Sequence, residues 1–551
     1  MALVHFYLLP VALNRPGQSQ PVPALPAGRA KYRARAADQG RGASQFAVPH
    51  KLLAPDDSLR ANTMASNTPA EPPPGPASPA MAAASALWRA AGLPADALQW
   101  LDLPGAGPVL PSSFDVATAA QASLGLAALA AAEIAHLRGT GRQAVSVERV
   151  HAALECTAWF ALDGKTPPLW DPISGLYPCG KPGNTPAWVR IHANFAHHRD
   201  GALRLLGLPP GPATTREAVA QALATWTADG FEQAAADAGL VVAAARSFAQ
   251  WDAHPQALAL GGRAALSIRP IDTGQAPAAA LAWPGLAPAQ RPLTGLRVLD
   301  LTRILAGPVA GRCLAYYGAD VMLVNGPHLP NIDAIADNSR GKLSAQIDLR
   351  EARGQAQLQS LLAGAQVFLQ GYRPGALAAR GLGPQRLAQL RPGIVVASIS
   401  AYGEVGPWAE RRGFDSLVQT ATGFNLAEAK AAGSASPKAL PAPILDYAAG
   451  HLLAFGIQAA LWRQATQGGS WQVQVSLVDV GHWLRSLGRL ADGLAVSAPS
   501  LKPYLADSPC GFGPQGQATL RALRHAAQFS RTPVAGLRPS MPPGSHPPQW
   551  P

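Results

Sequence analysis

The stretch from Leu296 to Val324 constrains this chain more than any other. Leu296–Leu301 reads as a strand, and Ala306-Gly307-Pro308 makes a turn with its proline suited to a first helical turn. Residues 309–317 read as a helix, Gly318 stops it, and Val321–Val324 is the next strand. Further strands are expected at 366–370 and 394–400, with amphipathic helices at 351–363 and 384–390. Strands alternating with helices in this way predict a parallel sheet covered on both faces. No Gly-x-Gly-x-x-Gly follows the first strand, so a dinucleotide is not favoured.

Two segments repeat one pattern. Phe114-Asp115-Val116-Ala117 leads into a long apolar helix, then Gly141, then the strand-like Ala144–Val147. Leu445-Asp446-Tyr447-Ala448 does the same, followed by Gly468-Gly469 and the strand-like Gln472–Ser476. Both helices are apolar nearly all round, which predicts that both are buried. The first is also the closest approach to a membrane span. Gln121, Glu133 and His136 interrupt it, so no membrane partner is expected.

The net charge of +12 suggests an anionic partner, but its distribution points away from nucleic acid. Residues 1–60 carry eight Lys/Arg against three Asp/Glu, in a segment rich in Pro, Ala, Ser and Arg that reads as disordered. The remaining charges are scattered and remain compatible with a phosphate-bearing small molecule. Cys156, Cys179, Cys313 and Cys510 fit neither a Cys-x-x-Cys pair nor a disulfide framework, so a reduced, cytoplasmic setting is expected. His192, His197 and His198 cluster without further ligands at metal-binding spacing, and no metal is expected.

From Pro292 to about Asp479 the chain resembles the class III CoA-transferases, the family of formyl-CoA transferase, carnitine CoA-transferase and the bile-acid-inducible transferases. The motifs are Pro292–Thr302, Ala306-Gly307-Pro308, Tyr317–Val321, Gly371–Gly375, Ser398–Gly403, Gly406-Pro407, Gly413-Phe414-Asp415 and Asp446–Gly450, in the family's order. Residues 115–270 resemble the rest of the same family, including its small domain. The resemblance therefore implies an α/β fold: a Rossmann-like parallel-sheet domain plus a smaller α+β domain, in an order rearranged relative to the family. The segments are then a disordered 1–82, a partial copy with the small domain at 83–273, a linker at 274–291, the sheet domain at 292–490, and a C-terminal helix with a Pro-rich tail at 491–551.

The resemblance also implies chemistry. Coenzyme A would pass from an acyl-CoA to an acceptor carboxylic acid through an aspartyl-CoA intermediate. By motif Asp446 is the nucleophile, and covalent catalysis of this kind divides one hard step into easier ones. Lying ahead of a buried helix, Asp446 is expected to cap free N–H groups and to be held ionised by the helix dipole. Asp115 holds the matching place in the first repeat and is expected to be a helix cap. The positions implied to contact coenzyme A are Arg303, Ile304, Leu305 and Ala306 after the first strand, Ile347 and Arg350, then Gly371, Tyr372, Ala376 and Arg380, and finally Ser400, Ala401 and Tyr402. The family forms interlocked dimers, so a homodimer is expected. Two alternatives stand beside the transferase: a 2-methylacyl-CoA racemase, which Phe414 disfavours because it cannot transfer a proton, and a CoA-binding scaffold without turnover.

Overall fold

The computed structural model describes residues 78–181 and 187–551. Most of the expected 1–82 segment lies outside the described residues, but its last residues are helical. Helix α1 (Pro79–Ala90) begins ahead of the expected boundary, with Pro79 in its first turn and Ser78 Oγ accepting from Met81 N at 3.2 Å. Helix α2 (Val116–Leu137) follows and is buried from Val116 to Ala135.

A small antiparallel sheet comes next, built from β1 (Gly175–Cys179), β2 (Ala187–Ile191) and β3 (Val242–Ala244). Helix α3 (Ala196–Leu205) leaves the end of β2. Its own apolar core, with Tyr177, Val189, Leu203, Val219 and Phe231, makes this the smaller α+β part.

The large sheet contains β4 (Ser267–Pro270), β5 (Arg297–Leu301), β6 (Asp320–Asn325), β7 (Leu343–Gln346), β8 (Val367–Gln370), β9 (Val395–Ser400) and β10 (Trp471–Ser476). Their spatial order is β7-β6-β5-β8-β9-β10-β4. The six strands from β5 to β10 are parallel, and β4 joins the edge antiparallel to β10. Thus the first half of the chain lends a strand to the sheet of the second. The order reverses between β5 and β8, which opens a crevice at their carboxyl ends.

Helix α4 (Ala306–Tyr316) connects β5 to β6. Helix α5 (Asp415–Ala421) and helix α6 (Ile444–Gln467) lie between β9 and β10. By length and composition alone α2 and α6 could each cross a membrane, yet here both are enclosed by protein. They pack on one another, and Gln458 Nε2 donates across the pair to Ala127 O at 2.9 Å. Burying two such helices takes the apolar surface of one half of the chain to cover that of the other.

Residues 271–296 carry no helix or strand. The C-terminal region departs from expectation. Among residues 491–551 the regular elements are three strands and short 3₁₀ turns, not an α-helix. Strand β11 (Leu505–Cys510) pairs with β12 (Ala518–Leu523), which pairs in turn with Phe160–Leu162. Strand β13 (Ala527–Phe529) pairs with Val145–Val147. The Pro-rich end has no regular element and is pinned where Trp550 Nε1 donates to Leu361 O at 2.8 Å. A buried junction ties these regions together: His525 lies between Glu155 (Nδ1 to Oε1, 3.1 Å) and the Tyr317 hydroxyl (3.0 Å), while Ala526 N donates to Glu155 Oε2 at 2.7 Å.

Candidate active site

Where the strand order reverses, the crevice widens into a cleft of about 520 Å³. Its floor is the loop that follows β5. Asp300 anchors that loop by accepting from Thr302 N at 2.9 Å and from the Thr302 hydroxyl. The other Asp300 oxygen receives Lys342 Nζ at 2.9 Å, in an ion pair sealed from solvent. Lys342 also donates to Pro308 O at 2.9 Å, so one ammonium fixes both the strand end and the first turn of α4. The next residues are strained. Ile304 has φ 78°, a left-handed conformation that is uncommon for a β-branched side chain, and Asn338 Nδ2 holds its carbonyl at 2.9 Å. The strain lies in the cleft wall.

Arg303, Ile304, Leu305 and Ala306 line the cleft, as do Ile347, Arg350, Gly371, Tyr372, Ala376, Arg380, Ser400 and Ala401. Tyr402 does not. Gly403 turns the chain with φ 86°, and Tyr402 points inward instead, packing its ring 5.0 Å from that of Trp408. The carbonyl of Tyr402 accepts from Gln256 Nε2 at 2.7 Å. It is a packing residue under the cleft, which corrects the expectation that it would meet coenzyme A.

Asp446 lines the same cleft, in the first turn of α6. Close packing puts it there. A Cβ on Gly450 would lie 2.5 Å from Ala306 O and 2.7 Å from Val309 Cγ1, so only glycine lets α6 cross this near to α4. Residues four apart share a helix face, so that approach carries Asp446 to the loop after β5.

The capping expectation is corrected here. The N-cap position is Pro443, and the carboxylate that serves the helix start belongs to Asp415. Asp415 Oδ2 accepts from Leu445 N at 2.8 Å and Asp446 N at 3.1 Å, while Gln419 Nε2 donates to Oδ1. No group among the described residues donates to the Asp446 carboxylate. Burial, and then the negative charge of Asp415, push its pKa well above the usual carboxylate range. The dipole of α6, expected to hold it ionised, is outweighed.

Some of the site escaped sequence reasoning. Phe195, His197 and His198 reach the cleft from α3 of the small domain, and Arg373, Arg411, Arg412, Phe414 and His328 line it from the second half. Residues from both halves of the chain therefore wall one site. The triple histidine was visible in the sequence only as a poor metal motif. No cluster able to hold a metal ion occurs among the described residues. Six of the lining residues are arginines, and among the described lining residues Asp446 is the one carboxylate. Such a basin attracts anions.

With this geometry in view, comparison with known proteins defines the class. Residues 293–492 match the model of CoA-transferase family III, as the motifs led us to expect. Similar curated proteins include a probable fatty acyl-CoA transferase of Mycobacterium tuberculosis, 35% identical over 36% of this chain and 53% of that protein. A succinate–glutarate CoA-transferase of Agrobacterium fabrum is 32% identical over 39% of this chain and 60% of that protein. A crystal structure of the M. tuberculosis protein is 34% identical over 36% of this chain and 57% of that one, with a TM-score of 0.33. The chain spans about half the length of these relatives.

Proposed function

We propose that the protein is a class III CoA-transferase whose nucleophile is Asp446. The observation that carries this reading is a buried carboxylate with no hydrogen-bond donor, facing a cationic cleft at the switch point of a parallel sheet. A carboxylate stripped of donors is a stronger nucleophile once ionised, and the basic residues around it favour the anionic substrate.

In this mechanism an Asp446 oxygen attacks the thioester carbonyl, the C–S bond breaks, and a mixed anhydride and CoA thiolate result. The thiolate then attacks the Asp446 acyl carbon and expels the donor acid as its carboxylate. The acceptor carboxylate attacks the resulting aspartyl thioester, releasing thiolate again. Thiolate takes the acceptor's acyl group from that second anhydride, which regenerates Asp446. No proton or oxidant is consumed. Ile304, strained in the wall of the same cleft, and Gly371 and Tyr372 supply the walls against which the thioester would be positioned. Arg350 and Arg380 are assigned to the phosphates.

Epimerisation of a 2-methylacyl-CoA is disfavoured because Phe414 stands where that chemistry would place an imidazole. Its ring stacks on His192 at 4.1 Å instead. We further infer that the two halves rebuild one catalytic unit with the family's domain order reversed, on the ground that both wall the same cleft. A cytoplasmic setting is supported by four free, buried cysteines. A homodimer follows from the resemblance alone, because the long helices cover each other within one chain. The deciding experiment for function incubates the protein with acyl-CoA and hydroxylamine. Modification of Asp446 with loss of CoA exchange is expected. Tight CoA binding with Asp446 unmodified would instead identify a scaffold.

A further inference from the structure

The small-domain side of the cleft carries a feature that the transfer chemistry above does not use. Helix α3 is ten residues long, and its N-cap residue, Phe195, offers no side-chain acceptor. The Phe195 carbonyl takes His198 N at 2.9 Å, so the amides left at the positive end of the helix dipole are those of Ala196 and His197. His198 in that turn is 5% exposed, lines the cleft, and has neither ring nitrogen partnered among the described residues. A buried imidazole with both nitrogens idle is costly unless something else satisfies it.

Arg412 stands beside it. One end of its guanidinium is fixed by a 2.7 Å bond from Nη1 to Gly239 O. Burial, and after it the charges of His197 and Arg412, keep His198 neutral, down to about 3. No carboxylate lines this side of the cleft to neutralise the arginine. Phe195 and Phe414 flank the group, with ring centroids 6.2 Å apart.

We propose that the start of α3, His198 and Arg412 form an anion subsite that takes the far carboxylate of a dicarboxylic acyl group. This deepens the transferase reading and rests on it. The three features suit a planar carboxylate: backbone N–H donors, an imidazole N–H and a guanidinium that is already held in place. A phosphate of coenzyme A offers the same anionic oxygens. However, the cofactor's phosphates are assigned to Arg350 and Arg380, which follow β7 and β8 and line the same cleft.

The test measures binding in the Asp446→Asn protein, which prevents turnover. The probes are succinyl-CoA, butyryl-CoA of equal chain length without the second carboxylate, and CoA itself. Succinyl-CoA is expected to bind about tenfold tighter than butyryl-CoA, the scale of one charge-assisted hydrogen bond. Arg412→Gln and His198→Leu should each erase most of that preference and leave CoA affinity unchanged. A melting curve identifies any variant that has lost its fold, and Arg412→Lys, which keeps the charge, should retain part of the preference. Equal losses for all three probes would assign the cluster to a phosphate and overturn the proposal. Absence of any preference in the parent protein would overturn it too. If hydroxylamine trapping fails while the preference survives, the transferase reading falls and the subsite stands.

Discussion

Asp115 and Asp446 open two helices of nearly the same character, and the two helices bury each other. Their carboxylates have opposite surroundings. Asp115 caps α2, accepting from Thr118 N at 3.0 Å and from the Thr118 hydroxyl at 2.7 Å, and it is paired with Arg149 Nη2 at 2.6 Å. Asp446 has burial, a neighbouring negative charge and no donors. One carboxylate is satisfied and structural. The other is held in an unfavourable state that the fold must support, which is what a nucleophile requires. An Asp at the head of an apolar helix is therefore ambiguous, and what surrounds it decides.

The largest expected effect falls on the unsatisfied member. Asp446→Asn should lower CoA exchange by at least ~10⁴-fold, the scale seen when a nucleophile is removed. Asp446→Glu should lose ~10²-fold, because the extra methylene displaces the attacking oxygen by about an ångström. Stability should move the other way. The folded pKa of Asp446 is raised, so ionising it costs the native state as pH climbs from the unfolded value towards the folded one. At neutral pH Asp446→Asn should be at least as stable as the parent, and the advantage should vanish in acid. Denaturant melts at several pH values, set beside an exchange assay, check both. A neutral-pH loss of stability without loss of exchange would invert the comparison.

Asp115→Asn should show the reverse profile. The amide oxygen can still cap α2, but Arg149 is left as an uncompensated charge, 5% exposed. Breaking a buried pair from one side costs about 3–5 kcal/mol. Exchange per folded molecule should stay near the parent value. Loss of exchange in fully folded protein would give Asp115 a part in the chemistry.

Much of this was legible before the structure. The strands and helices expected between Arg297 and Ser400 fall within a residue or two of those observed, apart from the start of α4, because their apolar periods and turn residues are local signals, but β7 and the short helix Ile335–Asn338 were not foreseen. Asp446 was singled out by its motif, and it lines the cleft. What failed depends on distant contacts. Strand β12 was missed because its partner Phe160–Leu162 lies more than 300 residues away, and β11, which pairs with β12, was missed with it. Tyr402 was misplaced because its ring packs on Trp408 beneath the cleft. Asp446 was taken for a cap because nothing local reveals that Asp415 reaches the same N–H groups. His198 joins the cleft only through the packing of the small domain.

A smaller effect tests how Asp446 is positioned. In Gly450→Ala the new methyl would meet the Ala306 carbonyl and Val309, neither of which is the end of a long flexible side chain. Overpacking of this kind costs about 1–3 kcal/mol. Helices α4 and α6 would have to part, which moves Asp446 off the loop after β5, so exchange should fall along with the melting temperature. Gly456→Ala, six residues later where Leu266 and Val473 approach, controls for packing alone: it should destabilise with less effect on exchange. Equal effects on exchange would show that Gly450 has no special bearing on the nucleophile.

The smallest effect concerns Asp415, whose charge adds to burial in raising the pKa of Asp446. Asp415→Asn removes that charge and leaves an amide oxygen able to accept from Leu445 N and Asp446 N. The start of α6 should therefore survive with modest loss, since capping is worth about 0.5–2 kcal/mol. The sign of the kinetic effect follows from the reactive species. Exchange needs ionised Asp446, so the rate falls as pH drops through that group's pKa. Removing the Asp415 charge lowers the pKa, and the acid limb of kcat/KM should move to lower pH. Nucleophilicity declines with basicity, so the plateau at high pH should fall slightly. An acid limb that stays in place would show that burial alone sets Asp446, and one that moves upward would show that Asp415 stabilises the anion rather than opposing it.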